Sequence, residues 1–489
     1  MSKLGRADFI KATVITLAGA TVAPRLSFGR NVLSDFTNAE FAVRETEPIN
    51  YFGIVDLHCH PSLKMYLWNK KIWKHSHASR GMNLVAMQYT VDELASGNVK
   101  GFLATHYLVE AALTRESALL KNLLPWIKRF GLGLADKVEH EDYRNIDQIH
   151  GMMDLLESQI KTANQKQDKV QFVIARNFAE FEQALRQSKI PLAHAIEGSH
   201  ALGRNFPLTR KRNEEPRQTK PQNDQEECVV PLDPNAYLRN LEDLRNRGVC
   251  LMSLSHFFRN DLVFPIEGIS PDGKNMLKFY WTYTPDQDLP LTDIGKIVVS
   301  KMLDFGMIVD LTHSTPRARK DVFELNRKRR DEGKKMRPLT FTHTGAKQIF
   351  EKYEVCNQNA YDNYKFYDAC DEEIDWICEC DGTIGIIPEN FWLIGCDPAL
   401  NHGEYKNGID YMVETIEYIN KRTRTKNYEN ISIGTDFDGL ADAPKDLYKP
   451  SQLNKLTDVL RAKIGDDNTR KITSENALRL LRYGWGNPS

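Results

Sequence analysis

Short apolar runs that end on a potential metal ligand recur along this chain. Six of them read IVDLHCH, AHAIEG, MSLSH, IVDLTH, LTFTH and ISIGTDFDG, and they begin at residues 54, 193, 252, 308, 339 and 431. Each run has the length of a short buried strand. Each delivers a His, Glu or Asp at or just past its C-terminal end. The pattern therefore predicts strands whose ends carry chemistry.

Amphipathic helical segments separate these runs. Clear examples are residues 241–248, 293–306 and 371–382. In the second segment, one face carries Ile294, Ile297, Val298, Met302 and Leu303, and Gly306 ends the helix. Alternating strands and helices favour a parallel sheet with helical crossovers. The predicted fold is α/β, a (β/α)8 TIM barrel with helical and polar insertions.

Eight strands are predicted near 53–58, 101–107, 190–196, 249–255, 306–312, 338–343, 382–388 and 431–435. Residues 171–177 are a ninth candidate, so one assignment is expected to be wrong. The barrel is predicted to span 51–486, with insertions at about 109–168 and 203–235. The second insertion has almost no large apolar residues and cannot bury a core of its own. It follows Glu197, which favours a lid, an oligomer contact or a mobile loop on the active-site side.

A leader over residues 1–24 and a polar arm over 25–50 are predicted to precede the barrel. Three basic residues stand before an apolar run of small residues: Lys3, Arg6 and Lys11. The run contains Ala18-Gly19-Ala20, which fits an export cleavage site, although a plain amphipathic helix is the alternative. The start also resembles a twin-arginine signal with one Arg where two are expected. We expect an exported protein, periplasmic or extracellular, with membrane association left open and no membrane span after leader removal.

Composition excludes some functions. A formal net charge of -1, with 27% charged residues, gives no general attraction to nucleic acid or anionic lipid, so no nucleic-acid partner is predicted. Eight cysteines in 489 residues do not form a disulfide framework, although export leaves one or two disulfides open. Cys378-Glu379-Cys380 is too tight for the usual zinc spacing.

In a (β/α)8 barrel the C-terminal ends of all strands meet at one face. Seven residues are therefore expected to converge: His58, His60, Glu197, His256, His313, His343 and Asp436. Alternation along a strand places residues 58 and 60 on the same side. Each residue taken alone is better explained as a structural side chain. Their shared position favours a metal centre.

The ligand types suggest roles. A Glu that closes an apolar run is costly unless it is paired or binds a metal, and one carboxylate can hold two cations about 3.5–4 Å apart. Glu197 would be this bridge, and His313 and His343 would form half of a second site. Asp436 would bind one metal and exchange a proton with the water. His256 is not needed as a ligand and would stabilise an oxyanion.

Two divalent metal ions with mixed His and carboxylate ligands are predicted, which suits zinc and leaves manganese or iron open. Such a pair lowers the pKa of water and polarises a carbonyl, which is the chemistry of a hydrolase. The sequence has no phosphate-binding loop, no dinucleotide Gly fingerprint and no Gly-x-Ser-x-Gly elbow.

Taken in order, the motifs DLHCH, AIEGSHAL, LMSLSH, LTDIGKIVVSKMLDFGMIVDLTHS, PLTFTHT and ISIGTDFDGL resemble the membrane (renal) dipeptidase family of zinc metallopeptidases. The likeness covers residues 52–485. It implies a dinuclear zinc centre on a (β/α)8 barrel that hydrolyses dipeptides. By position it implies that His58 binds the first metal, that Glu197 bridges, and that His313 and His343 bind the second. It also implies that Asp436 is the acidic ligand and proton carrier, and that His256 contacts the substrate.

Two departures from the family pattern stand out. The usual His-x-Asp is His58-Cys59-His60 here, so the site loses a negative charge even if His60 binds metal. The usual Arg-Asn-x-Pro-Asp-Asp is the segment Tyr367 to Glu372, without the Arg that binds a dipeptide's carboxylate. Lys365 and Arg259 are the candidate substitutes.

The sequence thus predicts an exported, metal-dependent dipeptidase with a dipeptide or another small-molecule substrate. One alternative is a hydrolase of another amide, a lactone or a phosphoester on the same bimetal site. Another is a non-catalytic metal-binding barrel that serves as a binding protein. The complete ligand set argues against the last alternative. A homodimer is left open.

Overall fold

The computed structural model describes residues 53–78, 86–110, 144–203, 234–266, 288–353, 366–394, 408–440 and 443–486. The predicted leader, the N-terminal arm and most of the polar insertion lie outside the described residues, as do residues 111–143 of the helical insertion. No helix of the described residues is both long and apolar enough to cross a membrane. The described cysteines are free thiols.

Nine parallel strands form one sheet in the described part of the chain. They are β1 Ile54–Cys59, β2 Val99–Tyr107, β3 Phe172–Ala175, β4 Ile190–Glu197, β5 Val249–Ser253, β6 Ile308–Asp310, β7 Thr340–Thr344, β8 Thr383–Ile386 and β9 Ile431–Ile433. Strand β1 pairs with β2 and β9, and β2 pairs with β4. The remaining pairs run in sequence from β4 to β9 and complete a closed barrel of eight strands. The predicted (β/α)8 fold is confirmed.

Strand β3 lies outside this ring. It pairs with residues 190–193 of β4, whereas β5 pairs with residues 194–197. Because β2 occupies the other edge of β4 along residues 192–197, β3 and β5 share one edge, one after the other. All nine candidates are strands, so the expectation that one assignment was wrong is itself wrong. The error was to assume that every strand belongs to the barrel.

Helices flank the barrel. In chain order they are α1 Pro61–Trp68, α2 Val91–Ser96, α3 Asn145–Lys166, α4 Phe178–Arg186, α5 Pro234–Asn246, α6 Asp293–Phe305, α7 Pro316–Asp331, α8 Lys347–Lys352, α9 Asp371–Glu379, α10 Asn390–Ile394, α11 Gly408–Arg422, α12 Leu453–Arg470 and α13 Asn476–Gly484. The three helical segments predicted from periodicity correspond to α5, α6 and α9. Helix α3 is the described part of the first insertion.

Helix α6 shows how local signals set an element's ends. The Thr292 side chain accepts a hydrogen bond from Gly295 N at the first turn, and Gly306 ends the helix with φ 67°. The predicted apolar face was partly wrong. Val299 is buried, whereas Ile297 is 45% exposed. The buried stripe is rotated because its centre follows the packing against α5 and α7.

The C-terminal helix α13 packs against the first halves of the strands. Leu480, Leu481 and Trp485 belong to a hydrophobic cluster with Val55 and Ile308, near the beginnings of β1 and β6. This end of the barrel is therefore filled with apolar side chains. The opposite end, where the strands finish, remains for polar residues.

A buried polar chain crosses the wall formed by β2 and β4. Ser62 Oγ lies 2.9 Å from His106 Nδ1, and His106 Nε2 lies 2.8 Å from His194 Nδ1. His194 Nε2 donates to Glu157 Oε1 over 3.2 Å. Since a carboxylate only accepts, each imidazole donates toward Glu157, and the Ser62 hydroxyl begins the chain. Burial lowers the pKa of both histidines, which keeps them neutral.

Glu157 ends this chain beside two arginines. Its Oε1 atom accepts from Arg176 over 2.8 Å and from Arg247 over 3.1 Å. Burial acts to raise the pKa of Glu157, but the bonds from His194 and Arg176 outweigh it and lower the pKa to about 2. The folded protein thus binds a proton at Glu157 less readily than the unfolded chain, whose Glu pKa is about 4.3.

We expect Glu157→Gln to lower the free energy of unfolding at neutral pH by about 1–3 kcal/mol, because the charged acceptor is lost. A depressed pKa contributes stability above the unfolded pKa and loses it as pH falls. The difference between wild type and Glu157→Gln should therefore shrink as pH falls below about 4. Urea unfolding at several pH values measures this.

Asp92→Asn is the control, because the pair of Asp92 with Lys169 is exposed, at 46% and 66% of their side chains. Its effect should stay within about 0.5 kcal/mol. A difference for Glu157→Gln that is constant from pH 7 to pH 3 contradicts the assignment.

Candidate metal centre

The structure brings all seven residues singled out from the sequence to the end of the barrel where the strands finish. His58, Glu197 and His343 lie within β1, β4 and β7. The other four follow the ends of their strands by one to three residues: His60, His256, His313 and Asp436. Their proximity follows from the closed parallel barrel, which places every strand end on one face.

Glu197 lies at the centre of this cluster. Its side chain is buried, and its carboxylate faces the Nε2 atoms of five histidines. The distances are 3.4 Å to His58, 3.2 Å to His60, 3.6 Å to His256, 3.3 Å to His313 and 3.8 Å to His343. A buried carboxylate needs compensating positive charge or hydrogen bonds. The arrangement therefore concentrates ligand atoms around one anion.

Asp436 supplies the second carboxylate. Its Oδ1 atom lies 3.0 Å from His60 Nε2 and 3.9 Å from His58 Nε2. The Asp436 side chain is 17% exposed, whereas that of His256, the most exposed of the five histidines, is 9% exposed. The cluster is therefore most open to solvent beside Asp436.

Two of these residues have an unusual backbone conformation. His313 and Asp436 lie in the left-handed region, with φ 67° and 51°. This region is uncommon for residues other than glycine, although His and Asp adopt it more often than most. Gly439 leaves space for Asp436 and His60, because a Cβ there would lie 2.3 Å from Asp436 Oδ1 and 2.7 Å from His60 Cδ2. Tight turns thus direct both side chains into the cluster.

Hydrogen bonds on the far side of the rings determine which imidazole nitrogens face inward. Thr342 Oγ1 donates its one proton to Asp310 Oδ2 over 2.7 Å. It can therefore only accept from His58 Nδ1 at 2.8 Å and from His343 Nδ1 at 2.9 Å. His60 Nδ1 likewise donates to the Thr105 carbonyl over 3.2 Å. Each neutral ring thus carries its proton on Nδ1 and presents the Nε2 lone pair to the cluster.

These inward atoms fit a metal. His58 Nε2 lies 3.0 Å from His60 Nε2, and His313 Nε2 lies 3.2 Å from His343 Nε2. Lone pairs at such separations repel unless a cation or a proton lies between them. Glu197 Oε1 is buried without a hydrogen-bond partner among the described residues. Imidazole and carboxylate donors together suit a transition metal such as zinc.

Among the described residues, three groups of side chains are placed so that they could hold a metal ion. Within each group the ligand atoms lie within 4.8 Å of one another. The groups are His58 with His60 and Glu197, His58 with Asp310 and His343, and Glu197 with His256 and His313. Asp310 already accepts hydrogen bonds from Thr342 and Thr312. We therefore place Asp310 behind the ligands. Glu197 is common to the other two groups, which is the position a bridge requires.

The electrostatics of the protein alone also favour a cation here. Burial opposes a charged imidazole at His60, but Glu197 and Asp436 outweigh it and raise its pKa to about 10. Burial alone would raise the pKa of Glu197, yet the surrounding histidines hold it well below its usual range. Burial and the neighbouring His58 lower the pKa of His343 well below its usual value. The two carboxylates thus draw positive charge to the His60 side of the cluster.

Sequence reasoning missed Glu110, which lies three residues after β2. It accepts from Tyr107 Oη over 3.0 Å and from Phe258 N over 3.0 Å, and its Oε2 lies 3.4 Å from His256 Nδ1. Its buried carboxylate thus faces the far side of His256. Glu110 closes the apolar run Tyr107-Leu108-Val109, just past the strand predicted at 101–107, and that local signal could have identified it.

Sequence reasoning also gave no role to Asp56 and Asp310. Asp56 accepts from His58 N over 3.2 Å and from Thr435 N over 2.9 Å. Burial raises the pKa of Asp56 to about 6, against its hydrogen bonds. The repeated IVDL at residues 54 and 308 was a signal that could have identified both aspartates.

Where the resemblance places a carboxylate-binding Arg, the structure has a buried phenol. The Tyr367 hydroxyl donates to the Ile266 carbonyl, and the ring lies 5.6 Å from His313 and 5.0 Å from Trp392. Of the two candidate substitutes, Lys365 lies outside the described residues. Arg259 stacks over Phe264 at 3.9 Å, three residues after His256.

Solved structures support the fold. The chain is similar to the crystal structure of a metallopeptidase named dipeptidase AC, with a TM-score of 0.58 and 15% identity, covering 89% of this chain and 99% of that one. A metallopeptidase from Rhodobacter sphaeroides, crystallised with a phosphinate mimic of L-Ala-D-Ala, gives a TM-score of 0.57 and 14% identity, covering 88% and 99%. At these identities the likeness concerns the fold alone.

Sequence comparison identifies the family. The dipeptidase tcpJ of Claviceps purpurea (strain 20.1) is 24% identical over 195 residues, which are 39% of this chain and 38% of that protein. The match thus spans well under half of the relative. The sequence model of the membrane dipeptidase family (peptidase family M19) matches residues 235–483, just over half of the chain. This chain therefore belongs to the membrane dipeptidase family.

Proposed function

We propose that this protein is a metal-dependent dipeptidase. The observation that carries the proposal is the buried Glu197 carboxylate with five imidazole Nε2 atoms around it, 3.2–3.8 Å away. Membership of the membrane dipeptidase family supports the same reaction. Since the curated relative is matched over 38% of its length, activity and substrate are inferred from the site.

The proposed centre holds two divalent ions, with zinc the preferred metal. His58, His60 and Asp436 would hold one ion, and His313 and His343 the other, with Glu197 between them. The donors support zinc because it accepts neutral imidazole nitrogens together with carboxylate oxygens. Zinc also has no strong geometric preference of its own, so this mixed set of ligands suits it.

When bound, such ions make water a stronger nucleophile and polarise a peptide carbonyl. The proposed role of Asp436 is to take the water's proton on a carboxylate oxygen and pass it to the leaving amine. Its greater exposure supports this role, since a proton carrier must meet both water and substrate. As an imidazolium, with a proton on each ring nitrogen, His256 would donate from Nε2 to the developing oxyanion and from Nδ1 to Glu110.

Arg259 is the proposed partner of the substrate carboxylate. It lies in the loop that carries His256, and its guanidinium stacks on Phe264, which restricts its orientation. A planar guanidinium binds a carboxylate through two parallel hydrogen bonds. Arg259 would therefore select dipeptides with a free C-terminus.

One observation favours a second candidate function. Tyr367 is uncharged, and its hydroxyl is engaged by Ile266, so this position offers no charge to a substrate carboxylate. A hydrolase of a neutral amide or a lactone has no need of such a charge. The same metal chemistry serves those substrates and a phosphoester.

Export remains part of the proposal. The basic residues and small apolar run of the first 24 residues support it, and the family name is consistent with a membrane association. A homodimer and the absence of a nucleic-acid partner remain predictions from the sequence.

Purified protein should contain about two zinc ions per chain and hydrolyse dipeptides, and a chelator should abolish the activity. Glu197→Gln should reduce metal content at both positions, because Gln cannot supply two anionic oxygens to a bridge. Elemental analysis and a dipeptide assay measure these outcomes. Lactone and phosphoester substrates assayed in parallel separate the two candidate functions.

Asp92→Asn is the matched control, because it removes one carboxylate at an exposed position away from the centre. Full activity in chelator, or full metal occupancy in Glu197→Gln, would contradict the proposed centre.

His60 can be tested as an unusual ligand. His60→Asp should keep about two ions per chain, because Asp offers an anionic oxygen that zinc accepts, whereas His60→Ala should keep about one. His60→Asn is the control for His60→Asp, because Asn has the size of Asp without its charge. Its metal content should resemble that of His60→Ala. Metal content and turnover of the four proteins decide. If His60→Ala matches wild type in both, His60 is not a ligand.

Arg259→Ala should raise KM for a dipeptide by about 10- to 100-fold and leave kcat nearly unchanged, because it removes a charge-assisted hydrogen bond. KM for the same dipeptide with an amidated C-terminus should not change. Arg259→Lys should give an intermediate KM, since Lys keeps the charge without the paired donors. Equal effects on the free and the amidated substrate would show that Arg259 does not bind the carboxylate.

A further inference from the structure

One hydroxyl group contacts a histidine from each half of the proposed centre. Thr342 Oγ1 lies 2.8 Å from His58 Nδ1 and 2.9 Å from His343 Nδ1. Its proton goes to Asp310 Oδ2, at 2.7 Å. With that proton committed, both lone pairs of the oxygen are used by the two imidazoles. Thr342 itself points no atom at the Glu197 carboxylate.

The position of Thr342 is closely constrained. Its backbone N–H donates to Asp310 Oδ1 over 2.9 Å. A Cβ at Gly434 would lie 1.7 Å from the Thr342 carbonyl oxygen, and a Cβ at Gly385 would lie 2.0 Å from it. Two glycines, one in β8 and one just past β9, thus leave room for this carbonyl. The Thr342 backbone can therefore move little, which keeps its hydroxyl in place.

Two adjacent side chains of β7 both reach the cluster, which a regular strand does not allow. The pairing of β7 with β8 is irregular between Phe341 and Thr344, so Thr342 and His343 depart from strict alternation. Irregular strand ends of this kind redirect side chains beside active sites. The local distortion is what brings the hydroxyl to the ring of the next residue.

The same arrangement occurs a second time in the barrel. Asp56 accepts the backbone N–H and the hydroxyl of Thr435, which immediately precedes Asp436. Asp310 accepts the same two groups from Thr342. An aspartate on one strand thus fixes a threonine on the neighbouring strand, next to a proposed ligand. Thr342 goes further, because its hydroxyl also accepts from two ligand rings.

We infer that Thr342 is a positioning residue for both halves of the metal centre. Its hydroxyl, oriented by Asp310, keeps the proton of His58 and of His343 on Nδ1 and thereby keeps both Nε2 lone pairs available to metal. Partners of this kind behind metal-binding histidines fix the ring and its tautomer, and their loss typically weakens metal binding by about 10- to 100-fold. A single side chain that touches no ion would therefore control affinity at two positions.

This inference rests on the proposed metal centre, and its test measures metal binding rather than activity. Metal-free protein, prepared with a chelator, is titrated with Zn²⁺, and with Co²⁺ to follow the ligand field by visible absorption. Thr342→Val has nearly the same shape without the hydroxyl. Thr342→Val should bind metal about 10- to 100-fold more weakly than wild type at both positions of the centre. Thr342→Ser keeps the hydroxyl and should restore affinity.

Thr312→Val is the matched control. Thr312 precedes His313 as Thr342 precedes His343, and its hydroxyl donates to the same carboxylate, to Asp310 Oδ1 over 2.7 Å. No contact joins that hydroxyl to an imidazole nitrogen among the described residues. Both valine variants thus remove a threonine hydroxyl bonded to Asp310, and only one removes contacts to ligand rings. Thr312→Val should bind zinc within about threefold of wild type.

The outcomes separate this inference from the proposal on which it rests. Wild-type protein that binds no zinc or cobalt overturns the metal centre. Zinc binding by Thr342→Val equal to that of Thr312→Val, or weakened at one position alone, overturns the role of Thr342 and leaves the metal centre standing. Should Thr342→Val not fold, Thr342→Ala against Thr312→Ala gives the same comparison.

Discussion

A buried carboxylate is the constraint around which this barrel is organised. Glu197 ends β4 inside a closed ring of strands, where water cannot compensate its charge. The surrounding strand ends bring imidazoles to it from several sides. A site of this kind attracts cations of any type, because water compensates little of the negative charge on its buried carboxylates. The exposure of Asp436 marks the side from which a substrate would approach.

Behind the ligands lies a second ring of hydrogen bonds that gives the first ring its chemistry. Imidazoles can present either a proton or a lone pair, and the choice depends on what their other nitrogen meets. Carbonyl and hydroxyl acceptors, at Thr105 and Thr342, accept those protons on the outer side. The inner side is then rich in lone pairs and poor in protons. Such an arrangement is unstable alone and stable with a cation, which is the logic of a metal centre.

The departures from the family pattern concern charge. His60 stands where the resemblance implies an anionic ligand, and Tyr367 stands where it implies a cationic partner of the substrate. One change reduces negative charge at the candidate metal centre, and the other reduces positive charge where the resemblance implies that the substrate carboxylate binds. The two alterations offset each other in net charge. The charge of the substrate is therefore the property that distinguishes the two candidate functions.

The strands, the barrel and the seven converging residues could all be predicted from the sequence alone. Apolar runs bounded by polar ends specify strands locally, and a closed parallel barrel then places their ends together. Alternation was enough to put His58 and His60 on one side, and their Nε2 atoms lie 3.0 Å apart. These features depend on periodicity within a few residues, which a single sequence displays.

The other features of the site depend on contacts between distant segments of the chain. The place of β3 outside the ring depends on how β4 divides its edge between two partners. Glu110 reaches His256 across 146 residues, and Thr342 reaches His58 across 284. No local pattern announces such contacts, because hydrogen bonds between distant segments depend on strand register and on distortions such as the one in β7. The sequence could name the candidate ligand residues, and only the folded chain could show which hydrogen bonds orient them.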